Sequence, residues 1–199
     1  MTKRITISTL DAMKASGDKF VMITAYDATF ARLASEAGAE TILVGDSLGM
    51  VLQGHETTIP VSLDAMAYHT ECVARARPHS LIVADLPFMS FSNADDTLHA
   101  STRLMQAGAQ MVKLEGGTWL SDSIHRLVER GVPVCAHLGL TPQSVNVFGG
   151  YRVQGRTPKE AKSILADAVE IQDAGASLLV LECIPAELAA DISSKLDIP

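Results

Sequence analysis

The chain has 199 residues, 47% of them hydrophobic, enough to bury a sizeable core and unlike a collagenous, disordered or membrane-spanning sequence. Its 16 basic and 23 acidic residues leave a formal charge of −7 with no run of Lys and Arg to follow a phosphate backbone, so nucleic acid is not an expected partner. The opening MTKRITISTLDAMKASGDKF lacks an apolar stretch behind its basic residues, and no apolar run approaches the roughly 20 residues that cross a bilayer, so a cytoplasmic protein without a membrane partner is expected.

The first strand is predicted at FVMITAYD, from Phe20, ending on Tyr26 and Asp27. Asp27 suits a helix cap equally well, and a helix is predicted over residues 28–37. AGAETILVGD follows from Ala37, then the long loop SLGMVLQGHETTIPVS and a helix over 63–77. SLIVADLPF from Ser80, a helix over 94–107 and AGAQMVKLEG from Ala107 come next, then a helix over 120–130 and VPVCAHLG from Val132. A second long loop, LGLTPQSVNVFGGYRVQGR, leads to a helix over 158–174, with Thr157 as cap and Pro158 in its first turn. AGASLLVLEC from Ala174 and a helix over 186–196 complete about six strand-helix units, and a seventh strand is expected to begin at Ile198 and Pro199.

Three of these segments share one grammar: a glycine (Gly38, Gly108, Gly175) that ends a helix in the left-handed region, an apolar run suited to a buried parallel strand, and a terminal acid. Alternating strands and helices leave an open doubly wound sheet or a closed barrel. Gly-x-Gly-x-x-Gly is absent, and Asp46, Asp85, Glu115, His137 and Glu182 all fall at strand C-termini. Only a barrel gathers five successive strand ends around one point, so residues 1–199 are expected to form a single α/β domain, a (β/α)8 barrel truncated after about six units. The two long loops lie on the same face and suit lids or packed surface loops.

Converging carboxylates repel by roughly 4 kcal/mol per close pair at an effective dielectric of 20, so such a site calls for a cation. Oxygen ligands on a water-accessible face suit Mg²⁺, with Asp46 and Asp85 as first ligands and Glu115 as a third or water-mediated one. Each acid alone could equally cap the next helix. Lys113, two residues before Glu115 on one strand, shares its side and suits either a substrate carboxylate or an internal ion pair. His137 suits proton transfer at a substrate oxygen or a satisfied place in the core. His55, His69 and Tyr26 carry weaker signals. Cys72, Cys135 and Cys183 lack CxxC spacing and are expected as buried free thiols, with Cys135, beside His137, the one candidate for reactivity.

VGDSLGMVLQGHETTIPV, AYHT, ADLPFMS, MVKLEGG, VCAHLGLTPQSVNVFGGYRVQGR and LLVLECIP, in this order from about Phe20 to Pro199, closely resemble the ketopantoate hydroxymethyltransferase family. The resemblance implies a barrel of the phosphoenolpyruvate and pyruvate type, usually a homodecamer. It also implies transfer of a hydroxymethyl group from methylenetetrahydrofolate to ketoisovalerate, giving ketopantoate on the route to pantothenate and coenzyme A. By motif, Asp46 and Asp85 would bind Mg²⁺, Glu115 would complete the metal site, and Glu182 would be the base. Ser47 and Lys113 would hold the keto acid's carboxylate, and His137 would serve the new hydroxyl. Another Mg²⁺-dependent oxo-acid lyase or aldolase of this barrel class, or a non-catalytic fragment, are the competing expectations.

Overall fold

The computed structural model describes residues 4–199, which fall into two compact units, one reaching to Lys113 and the other running from Leu114 to Pro199. The first unit opens with helix α1 (Ile7–Ser16), begun by a Thr6 and Thr9 capping box and ended by Gly17 at φ 79°. Strand β1 (Met22–Thr24) leads to α2 (Ala28–Glu36), whose first turn is held by Asp27 accepting from the Thr29 and Phe30 amides. Strand β2 (Thr41–Val44), the one-turn α3 (Leu48–Val51) and α4 (Leu63–Arg75, capped by Ser62) follow. Strand β3 (Leu81–Asp85), α5 (Ala94–Ala107, capped by Asn93) and strand β4 (Met111–Glu115) complete the run, the last two residues of β4 belonging to the second unit.

Neighbouring strands of this unit are parallel, with Thr24 opposite Leu43, Val44 opposite Ala84 and Asp85 opposite Lys113. β3 and β4 are buried throughout, and Ile42, Val44, Ile82, Val83 and Met111 of the strands and Met66, Val73 and Leu104 of the helices are all buried. β1 departs from the expectation of a buried strand: its last two residues are exposed. Within its unit it pairs with β2 alone, so one edge and much of its surface lack a neighbour.

In the second unit a 3₁₀ turn (Thr118–Leu120) runs into α6 (Ser121–Glu129), and strand β5 (Val134–Gly139) follows. A second 3₁₀ turn (Pro142–Ser144) and the one-turn α7 (Val145–Phe148) lie in the long loop. Helix α8 (Pro158–Asp173), strand β6 (Leu178–Glu182) and α9 (Ala186–Lys195) end the unit. Thr157 and Glu160 form a capping box with Pro158 in the first turn, the boundary expected from sequence. β5 and β6 are parallel, Cys135 opposite Leu178 and Gly139 opposite Glu182. Leu120, Ile124, Leu127, Val134, Ala136 and Ile171 form the core. The Leu179 amide donates to the Pro199 carbonyl, so the backbone at Pro199 lies beside β6, where the expected seventh strand would start.

The three glycines read as helix stops all take positive φ, 96° at Gly38, 111° at Gly108 and 106° at Gly175. Cys135 is buried and Cys72 half-buried, but Cys183 corrects the expectation of a buried thiol. It follows the end of β6 with φ 52° and is exposed, because the chain turns out of the strand there. Among the described residues no helix is long and apolar enough to cross a membrane.

Candidate functional site

In the first unit the polar residues gather at the C-terminal ends of β2, β3 and β4. Asp46 lies two residues beyond the end of β2, and the parallel register sets Asp85 opposite Lys113. All three are nearly inaccessible, 3%, 4% and 4% exposed. Asp85 is the hub: Oδ1 accepts from Lys113 Nζ, and Oδ2 accepts from the Asp46 amide at 3.1 Å. Of the two roles read for Lys113, the internal ion pair is therefore formed. A lone ammonium in this interior would be costly, and the pairing with Asp85 offsets that cost.

Ser47 follows Asp46 and its hydroxyl lies 2.9 Å from that of Tyr26, which leaves β1. The Tyr26 carbonyl in turn meets His69 Nδ1 of α4 at 2.8 Å, so strand end and helix hold each other. Asp27 is a helix cap, one of its two expected uses. The Tyr26 to Ser47 contact was not legible in the sequence, since it joins residues 21 apart through the pairing of β1 with β2.

In the second unit His137, 2% exposed on β5, lies between two carboxylates. Its Nδ1 is 3.4 Å from Glu115 Oε1, and its Nε2 is 3.2 Å from Glu182 Oε2. Glu115 is buried, and its Oε2 also accepts from the Gln143 amide at 3.0 Å. That bond ties the 3₁₀ turn after β5 to the end of β4, and sequence reading missed it because the donor is a backbone group. The Glu182 side chain is 44% exposed, unlike Glu115 at 3%. A carboxylate open on one side and backed by an imidazole can accept a proton and pass it inward.

Among the described residues no three of His, Cys, Asp or Glu are grouped so as to hold a metal by themselves. In the second unit the imidazole stands between the carboxylates. In the first, Asp46 and Asp85 supply hard oxygens from adjacent strand ends. That donor set fits Mg²⁺, which commonly takes one or two carboxylates and completes its shell with waters and substrate oxygens. His55 lies in the exposed part of the loop after β2.

A sequence model described as ketopantoate hydroxymethyltransferase matches residues 4–199. The 3-methyl-2-oxobutanoate hydroxymethyltransferase of Saccharophagus degradans is 54% identical over 199 residues, all of this chain and 74% of that protein. A Pseudomonas aeruginosa protein, 3-methyl-2-oxobutanoate hydroxymethyltransferase 2, is 57% identical over 195 residues, 98% of this chain and 73% of its own length. Among solved structures, 2,3-dimethylmalate lyase, a PEP mutase/isocitrate lyase superfamily member, superposes with a TM-score of 0.69 at 17% identity, covering 98% of this chain and 68% of its own. Phosphonopyruvate hydrolase in complex with oxalate and Mg²⁺ gives a TM-score of 0.72 at 17% identity, over 97% and 70% of the two chains. At such identity the likeness concerns the fold, and it bears out the barrel class read from the strand ends.

Proposed function

The chain belongs to the ketopantoate hydroxymethyltransferase family, and from that premise we propose that it transfers a hydroxymethyl group from methylenetetrahydrofolate to the branched carbon of ketoisovalerate, giving ketopantoate. Mg²⁺ is the metal of this reading, held by Asp46 and Asp85. When bound, it supplies Lewis-acid polarisation of the keto oxygen, worth several kcal/mol at the transition state.

The chain's own residues divide the remaining work. Lys113, fixed by Asp85, and Ser47, fixed by Tyr26, grip the keto acid's carboxylate, and a prepositioned cation and hydroxyl lower the cost of ordering the substrate. Glu182 removes the proton from the branched carbon. Water adds to the donor's methylene and supplies the hydroxyl oxygen as tetrahydrofolate leaves, and His137, oriented by Glu115, relays the proton toward that oxygen. Glu115 therefore acts chiefly by positioning His137 and the turn at Gln143.

The observation that carries this reading is the contact between half-exposed Glu182 and buried His137, 3.2 Å apart, which pairs an accessible base with a proton carrier. Proton NMR of ketoisovalerate in deuterated water tests it. Loss of the branched-carbon signal is expected with the unaltered chain and Mg²⁺, and none above background with Glu182→Gln. Retained exchange in that variant removes Glu182 as the base. A homo-oligomer, decameric by family resemblance, belongs to the same proposal, and sedimentation equilibrium measures it.

A further inference from the structure

Resting on the one-carbon donor proposed above, we propose that a cavity of about 320 Å³ within the second unit binds the donor's flat, N–H-rich bicyclic ring, stacked on Trp119 and hydrogen-bonded to Asp167. Its volume falls at the lower end of the roughly 300–1,000 Å³ common for small-molecule sites.

Two neighbouring glycines shape the wall. A Cβ at Gly116 would come within 2.6 to 2.7 Å of the Trp119 indole, so the ring lies directly on the backbone. Yet Trp119 is 62% exposed, a large aromatic surface held in place without being packed away. A Cβ at Gly117 would lie 2.5 Å from the Asp167 carboxyl carbon, so that carboxylate too sits against bare backbone.

Asp167 is anchored. Its Oδ1 accepts from the Thr118 amide at 2.9 Å and from the Thr118 hydroxyl at 2.6 Å, which holds the carboxylate in one orientation at the cavity wall. A carboxylate so placed recognises adjacent ring and exocyclic N–H donors, the edge a 2-aminopyrimidinone ring presents. Glu160 lines the same cavity, and two acids disfavour a phosphate or carboxylate in this place. Indole plus carboxylate therefore selects a flat, N–H-bearing heterocycle over an anion.

The cavity also borders the strand end that carries the proposed base. Gly139 lines it, and a side chain at Gly139 would collide with the carbonyl of Glu182, so the wall is shared with the main chain of the proposed base.

Trp119 is the sole tryptophan of the chain, so its emission reports directly on the cavity. Titration with tetrahydrofolate, corrected for ligand absorbance, is expected to quench it saturably. Asp167→Asn is expected to weaken that binding at least tenfold. Thr118→Ala, which keeps the carboxylate and removes one of its anchors, should cause a smaller loss in the same direction. Saturating tetrahydrofolate without quenching, or an unchanged dissociation constant in folded Asp167→Asn, overturns the assignment. The two readings fail separately: ketoisovalerate exchange without quenching by tetrahydrofolate refutes the cavity alone, whereas absent exchange refutes the function on which it rests.

Discussion

Asp85 illustrates how one side chain serves both folding and chemistry. Both its oxygens are engaged, by Lys113 and by the Asp46 amide, in a setting only 4% exposed. Asp85→Ala would leave the Lys113 ammonium buried without this partner, a change that costs about 3–5 kcal/mol in comparable pairs. It should also abolish metal-dependent binding of the keto acid, and calorimetric titration with and without Mg²⁺ checks this. Unchanged binding would remove Asp85 from the ligand set. Glu182→Gln is expected to behave differently, losing proton exchange by a hundredfold or more while binding ketoisovalerate nearly as before, since a half-exposed carboxylate carries less of the fold. The acids were legible in sequence because each ends an apolar run. Their partners were not: the Lys113 pairing, the Tyr26 to Ser47 contact and the Gln143 amide on Glu115 follow from register and loop closure, which no local pattern encodes.

At the scale of elements, the boundaries with strong local chemistry were the readable ones. Asp27, Ser62 and Thr157 each accept an amide at a helix start, and the helix over Ala94–Ala107 has the bounds expected of it. Thr157→Ala removes one half of the capping box before α8 and should cost roughly 1 kcal/mol, read as a lowered midpoint in thermal unfolding. A midpoint equal to that of the unaltered chain would show that tertiary packing alone sets this helix start. Helix α1 was not anticipated, because Ile7–Ser16 carries only a weakly amphipathic pattern and a single buried side chain, Leu10. α3 and α7 escaped for another reason: helices of four residues are too short to show a period, and both were read as parts of long loops. β1 shows the limit of apolar runs, since FVMIT reads as a buried strand yet only Met22–Thr24 is paired and much of it is exposed.

At the scale of the whole molecule, the family assignment rests on matches along nearly the entire chain, and the activity for which the relatives are named supplies the substrate of the proposal. Binding linked to folding offers a broad check. A ligand at a hundred times its dissociation constant stabilises the folded form by about 2.7 kcal/mol, which for a chain of this size corresponds to a midpoint raised by roughly 5–10 °C. Mg²⁺ together with ketoisovalerate should produce such a shift, and a chelator should reverse it; an unmoved midpoint would argue against the keto acid as substrate. The most direct measurement is solvent deuterium exchange at the branched carbon of ketoisovalerate, followed by NMR with the chain as it stands. The account predicts exchange that requires Mg²⁺ and disappears in Glu182→Gln. A folded chain that leaves the branched-carbon proton in place with Mg²⁺ present would contradict it.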